Sequence, residues 1–317
     1  MSIEGKKIMI TGGAGFIGSH LSNRLSDKNE LVIFDNFSRG IMDENLRDKT
    51  NVSFKSGDIL VADELKAAMK GCDIVVHLAA VAGIDTVVKK PVRTIEVNFL
   101  GSYNVFKNAY DLGIDRVIFA STSEVYGPYT YNAREEDLTT QGPVNEVRWG
   151  YAVSKLATDH LAFAFHRQYG LGVTPLRFFN IYGPGQLGEG AIQTFVINAT
   201  QDQDIVINGD GTQIRAWCYV SDAVDGIVKV MASTKAIGEA FNIGNPRESL
   251  SVFELAQNVK RLASSKSNII FKNVGSYPDV HLRVPNIEKA RKILEFEPKV
   301  GLEEGIQETI NWFRSTW

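Results

Sequence analysis

Residues 7–18 constrain this chain more than any other stretch. A short apolar run, 7–11, leads straight into Thr11-Gly-Gly-Ala-Gly-Phe-Ile-Gly18, and a helical pattern continues to Ser26. Gly12, Gly15 and Gly18 at that spacing allow a tight strand-to-helix turn, close approach of the backbone to a pyrophosphate, and packing of the helix on a sheet. The first helical residues, Phe16 and Ile17, then offer backbone amides to the anion. Glycine by itself serves many turns. Here Asp35, followed by Asn36, closes a second apolar run at the distance where a carboxylate holds the adenosine ribose hydroxyls. The combination favours NAD as cofactor, while Arg39 nearby leaves NADP open.

Beyond this turn, short apolar runs alternate with helical patterns. Strands are expected at 7–11, 30–35, 52–55, 74–78, 117–121 and 172–177, with helices near 15–26, 62–69, 91–112 and 150–169. Such alternation reads as α/β, a Rossmann doubly wound parallel sheet covered on both faces. After Asn180 the alternation gives way to Gly183, Pro184, Gly185, Gly188 and Gly190, and mixed elements then run to Trp317. The expected division is an NAD-binding domain at 1–180, to which later segments return, and a smaller C-terminal α/β region at 181–317, mainly for substrate.

The 91–112 helix carries two apolar stripes: Ile95, Phe99, Tyr103, Phe106 and Tyr110 on one side, Val97, Gly101, Val105 and Ala109 on the other. One stripe covers the sheet; the other needs a second subunit, making a homodimer, or a helix of the same chain. Charge narrows the partners. With 34 Lys+Arg against 37 Asp+Glu the net charge is −3, and no basic face suits a nucleic-acid backbone or an anionic membrane. The longest apolar stretch, 74–84, is broken by His77 and Gly83 and is too short to span a bilayer. The start of the chain lacks the apolar core of a secretory signal, and Cys72 and Cys218 read as buried thiols, so a cytoplasmic location is the default expectation. His20, His77, His160, His166 and His281 have no metal-ligand spacing, and no metal is expected.

Tyr151 and Lys155 lie four residues apart on one helix face. A phenol is a poor base at neutral pH, but a neighbouring ammonium and an oxidised nicotinamide both favour its phenolate, which could take a proton from a sugar hydroxyl while hydride leaves the same carbon. Most such pairs are surface. This one follows a glycine fingerprint and a strand end, Ser121-Thr122-Ser123-Glu124, that places hydroxyls at the mouth of the sheet.

Taken together, Thr11–Gly18, Gly57-Asp58-Ile59, His77-Leu78-Ala79-Ala80, Val97-Asn98, Ser121 to Gly127, Tyr151 to Lys155 and Arg177 to Pro184 resemble the extended short-chain dehydrogenases/reductases that modify nucleotide sugars with NAD. The resemblance runs over essentially the whole chain. It implies that Asp58 and Ile59 flank the adenine and that Leu78, Ala79, Ala80 and Asn98 line the cofactor cleft. Thr122 would bond the substrate hydroxyl, Tyr151 would be the base, and Lys155 would bind the nicotinamide ribose. Phe178 would lie at the nicotinamide, and Asn180 at the substrate diphosphate. The family pattern also selects Arg215, in Gly211 to Asp222, and Arg283, in Asp279 to Asn286, for the diphosphate, where arginine forks match phosphate oxygens.

Enzymes of this kind oxidise the sugar at C4 first. A 4-epimerase then needs only Thr, Tyr and Lys, whereas a 4,6-dehydratase or a decarboxylase works at C5 and uses further groups. Glu124, with Ser123, is the discriminating residue: beside Thr122 it is surplus to a plain epimerase. Ser121 to Gly127, Gly142 to Asn145 and Arg148 to Lys155 are most similar to UDP-glucuronate decarboxylases, particularly the oxidative type. Gly185 departs from that pattern, which usually has Arg there, and is shared with some epimerases.

Overall fold

The computed structural model describes residues 3–39, 44–273 and 280–316; Asp279, which opens the Arg283 motif, lies outside them. Five strands come first: β1 (Lys7–Thr11), β2 (Glu30–Asp35), β3 (Val52–Ser56), β4 (Ile74–His77) and β5 (Arg116–Thr122). With Gly172–Phe178 and Phe241–Ile243 they form a seven-stranded parallel sheet. Across it the order is Phe241–Ile243, Gly172–Phe178, β5, β4, β1, β2, β3. The direction of winding reverses between β4 and β1, and the crevice at the carboxyl ends there is where open α/β sheets bind ligands.

Both sheet faces are buried, which is why the strands are continuous apolar runs instead of strict alternations. Ile8 and Ile10 face one core, shared with Leu21 and Leu25 of the first helix, α1 (Phe16–Ser26), and with Val220, Ile227 and Phe241 from late in the chain. Met9 faces the other, with Val75, Phe106, Phe119 and Val173. A third core, built on Ile192, Phe195, Ile207, Leu255, Ile306 and Ile310, belongs to the smaller C-terminal α/β region. The six strands expected from sequence are present; Phe241–Ile243 was not foreseen, because three residues carry no measurable periodicity.

The 91–112 segment corrects an expectation. It is an α-helix at Pro91–Ile95, a π-helix at Glu96–Leu100 and an α-helix again at Gly101–Asp111. A π-turn widens the helix and releases a carbonyl. Here Asn98 O accepts from the hydroxyls of Ser102 (2.6 Å) and Thr158 (3.1 Å). In the regular helix that follows, the buried face is broad enough to take in Phe106, which packs on Phe119 and Phe165, beside Val105 and Ala109, whereas Ile95, Tyr103 and Tyr110 stay exposed. A helix of the same chain, Gly150–Tyr169, covers part of that second stripe, with Phe165 against Tyr103. No described helix is long and apolar enough to cross a membrane.

Candidate active site

The site begins with the glycine turn. Gly12 has φ +69°, and a Cβ there would stand 2.7 Å from Ala79 N, so only glycine lets the turn lie this close to the residues after β4. Gly15 caps α1 with no side-chain acceptor, and the first turn carries no acidic residue, so the Phe16–Gly18 end is suited to a phosphate. Asp35 is held beside it: Oδ2 accepts from Ala14 N (3.1 Å) and Oδ1 from Phe37 N (2.9 Å), with lone pairs left for ribose hydroxyls. Asn36 is used locally, accepting from Ser38 N. The cradle fits a dinucleotide.

Other cofactor candidates have structural partners. Asp58 pairs with Arg93 (2.6 Å) and accepts from Leu60 N, while Ile59 is buried against Gly101. Asn98, on the π-turn, accepts from Val81 N (2.8 Å) and donates to Val81 O (3.0 Å) and Ser154 Oγ (3.2 Å). Its amide therefore sets the loop after Leu78, Ala79 and Ala80 and ties it to the helix that carries Tyr151. Phe178 ends its strand against the first core. Arg39 turns across the cleft to Ala82 O and Thr86 Oγ1.

At the end of β5, Thr122 accepts from Glu124 N through its hydroxyl (3.2 Å), and its side chain lies near enough to Tyr151 to favour the phenolate. Ser123 follows, buried. One turn beyond Tyr151, the buried Lys155 donates to Ala120 O (2.8 Å). Burial lowers the Lys155 ammonium to about 8, with the Asp159 carboxylate opposing. Tyr151 is pushed up to about 12 by burial and by the Glu124 carboxylate, with the Thr122 side chain and Arg283 pulling the other way. The Lys155 ammonium is tied to the β5 backbone, and of the charges near Tyr151 the Glu124 carboxylate opposes the phenolate while Arg283 favours it.

Glu124 is largely withdrawn from solvent, between two arginines. Its Oε1 meets Arg283 Nη1 (2.8 Å) and its Oε2 meets Arg148 Nη1 (3.1 Å), both guanidiniums being almost fully buried. Burial alone would raise its pKa, but the two cations outweigh it and hold the carboxyl at about 2. Arg283 keeps two further buried nitrogens, Nε and Nη2, without a partner. It sits on the strand Leu282–Pro285, in parallel register with Arg215 on Ile214–Ala216. Arg215 donates to Ile214 O (3.0 Å) and to Val280 O. Asn180, at φ +40°, donates to Ala216 O (2.9 Å) and joins that strand to the end of the main sheet.

Sequence reasoning missed Arg148 as a site residue. Its signal was faint: one arginine three residues before Tyr151, whose guanidinium lies 4.7 Å over the ring of Trp149. It also missed the buried pair of Asp159 with Arg177 (3.2 Å), the latter donating to Tyr126 Oη (2.8 Å) behind the catalytic loop. Among the described residues no group of three or more His, Cys, Asp or Glu side chains could hold a metal ion.

Residues 8–244 match the profile of the NAD dependent epimerase/dehydratase family. The chain belongs to that family. It is 38% identical to the UDP-N-acetyl-alpha-D-glucosaminuronate decarboxylase of Bacillus cytotoxicus, over 98% of each chain. It is 35% identical to UDP-glucuronic acid decarboxylase 1 of Xenopus tropicalis, over 98% of this chain and 72% of the relative. Its fold matches that of UDP-glucuronic acid 4-epimerase from Bacillus cereus, solved with UDP-glucuronic acid and NAD, with a TM-score of 0.89 at 27% identity, over 98% of this chain and all of the other. The protein is thus an NAD-dependent enzyme that modifies a nucleotide sugar. Asp35 is held against Ala14 N and Phe37 N beside the glycine turn; if the adenosine ribose lies there, its carboxylate would repel a 2′-phosphate, and NAD should bind at least about tenfold more tightly than NADP. Titration calorimetry checks this, and equal affinities would contradict it.

Proposed function

We propose that this enzyme decarboxylates a UDP-hexuronate, of the UDP-glucuronate type, through a 4-keto intermediate. The observation that carries the reading is the Arg148–Glu124–Arg283 cluster beside Thr122 and Tyr151. NAD, when bound, accepts the C4 hydrogen as hydride. Thr122 and Tyr151 would hold the C4 hydroxyl, with Tyr151 taking its proton, and Lys155 would hold the ribose of the cofactor. The resulting ketone is β to the C5 carboxylate, so the electrons of the breaking C–C bond have an acceptor.

The unbonded Nε and Nη2 of Arg283 offer donors to an anion inside the site, and the first candidate is that carboxylate rather than the diphosphate assigned from family pattern. Glu124, anionic beside it, disfavours the bound carboxylate relative to neutral carbon dioxide. Held ionised between Arg148 and Arg283, Glu124 acts in this reading by charge and by aiming Arg283. The diphosphate is left to Arg215 and Asn180.

UDP-glucuronate labelled at the carboxyl carbon tests the reading: release of labelled carbon dioxide is expected. A 4-epimerase is the second reading, favoured by Gly185, and it would convert the same substrate to UDP-galacturonate with the label retained.

We also propose a homodimer. Val92, Ile95, Tyr103, Tyr110, Val153 and Tyr169 remain exposed along the 91–111 and 150–169 helices, a stripe that a second copy would cover. Light scattering at micromolar concentration should give twice the chain mass, and Ile95→Asp should shift it to monomer. A monomeric wild type would rule this out.

A further inference from the structure

Three loops meet above the glycine turn. In the sheet, β4 and β2 flank β1, and β1 runs directly into Gly12. Any contact between the loop after β2 and the loop after β4 must therefore cross the carboxyl end of β1, over the ground where the dinucleotide would lie. Arg39 makes that crossing: Nη1 donates to Ala82 O (3.0 Å) and Nη2 to Thr86 Oγ1 (2.7 Å).

The third loop, 183–190, locks onto the same place. Glu189 Oε1 accepts from Thr86 N (3.0 Å) and Thr86 Oγ1 (2.6 Å), and its Oε2 accepts from Asp85 N (2.6 Å). The helix Ile84–Lys89 has Gly83 at its N-cap, without a side-chain cap, so the missing acceptor comes from Glu189 instead. Gly83 has φ +102°, and a Cβ there would lie 2.8 Å from the Glu189 carboxylate, so glycine is what lets the carboxylate seat. At its other end the loop is pinned to α1, where His20 Nε2 bonds Pro184 O (2.8 Å).

We propose that Arg39, Thr86 and Glu189 form a latch that keeps the reduced cofactor in place between the two hydride transfers, so that the sugar leaves as a 4-hydroxy pentose. The product clause rests on the decarboxylase reading; the latch does not. The chemistry balances without an outside oxidant. The C4–H bond breaks and its hydride goes to NAD. The C5–C6 bond breaks, carbon dioxide leaves, and the enolate takes a proton at C5. Hydride then returns to C4, and a proton to its oxygen. The sum is UDP-hexuronate plus one proton giving UDP-pentose plus carbon dioxide, with the cofactor unchanged. Were the reduced cofactor to escape midway, the product would be a 4-keto pentose and one free NADH.

The test is a chase: protein loaded with NADH is mixed with excess NAD, and loss of the bound-NADH fluorescence is followed. Wild type should release NADH over minutes, with Glu189→Ala and Arg39→Ala at least about tenfold faster. Thr86→Val removes one hydroxyl shared by both arms, disturbs folding least, and should move the same way. Wild-type release within seconds, or variant rates within twofold of wild type, would overturn the latch. With UDP-glucuronate the variants should leak 4-keto pentose and NADH. Faster NADH release with no carbon dioxide from any protein leaves the latch standing and removes the decarboxylase reading.

Discussion

Replacing Tyr151 by Phe lowers turnover by about 10²- to 10⁴-fold, the range of a lost acid/base group, while NAD and the nucleotide sugar still bind within a few-fold. The phenol makes its main contribution while the C4 proton is moving, so its loss appears in the rate rather than in binding. Packing survives, because Phe keeps the ring and loses only the hydroxyl on the Thr122 side. Stopped-flow absorbance of NADH during the first turnover, with calorimetry of the sugar nucleotide, separates the two quantities. Near wild-type NADH formation in this variant would place the base elsewhere.

Glu124→Gln is expected to depress carbon dioxide release by about 10²- to 10³-fold, the range of a lost electrostatic group, and to leave cofactor binding intact. The charge that aims Arg283 and opposes the substrate carboxylate is gone, and the two buried guanidiniums lose their counter-ion. Breaking a buried pair costs about 3–5 kcal/mol, so folding is checked first by circular dichroism. Proton NMR of the sugar in deuterated buffer reads the chemistry. A pentose with deuterium at C5 from wild type, strongly reduced in the variant, is the expected result. UDP-galacturonate without solvent deuterium, formed equally by both proteins, would replace the decarboxylase with an epimerase.

The acid behaviour of this variant follows from the same cluster. In the native protein the Glu124 carboxyl is held at about 2 against its ordinary 4.5. The unfolded chain therefore takes up this proton first as pH falls, and the native state loses the stability that ionised Glu124 confers. That contribution is full above about pH 4.5 and disappears on descent toward about pH 2. The urea midpoint of Glu124→Gln should fall less steeply than that of wild type over this window.

Local sequence was enough to read the glycine turn, Asp35, six of the seven parallel strands and the Tyr151–Lys155 spacing. Each is a short-range matter: a turn that needs glycine, a buried run too apolar for anything but a covered sheet, two residues one helical turn apart. The π-turn at Asn98 escaped because a single widened turn shifts the helical phase, and periodicity assumes constant phase. Phe106 escaped differently: on one regular helix it lies at the border of the two stripes, and Phe119 and Phe165 decide that it is buried.

The charges at the site were decided by tertiary structure. Glu124 is separated from Arg148 by 24 positions and from Arg283 by 159, and no spacing rule joins them. They meet because the strand Leu282–Pro285 pairs with Tyr129–Ala133, just beyond the end of β5, and because the turn before the Tyr151 helix buries Arg148 against the same carboxylate. Electrostatic control of Tyr151 likewise depends on which charge is near and dehydrated. The sequence by itself determined that a dinucleotide turn and a Tyr–Lys helix would exist. Only packing decided that Lys155 faces the backbone, that Glu124 stays ionised between two arginines, and that Arg39 and Glu189 close over the turn, since the energy of a charge depends on its neighbours and its distance from water rather than on its place in the chain.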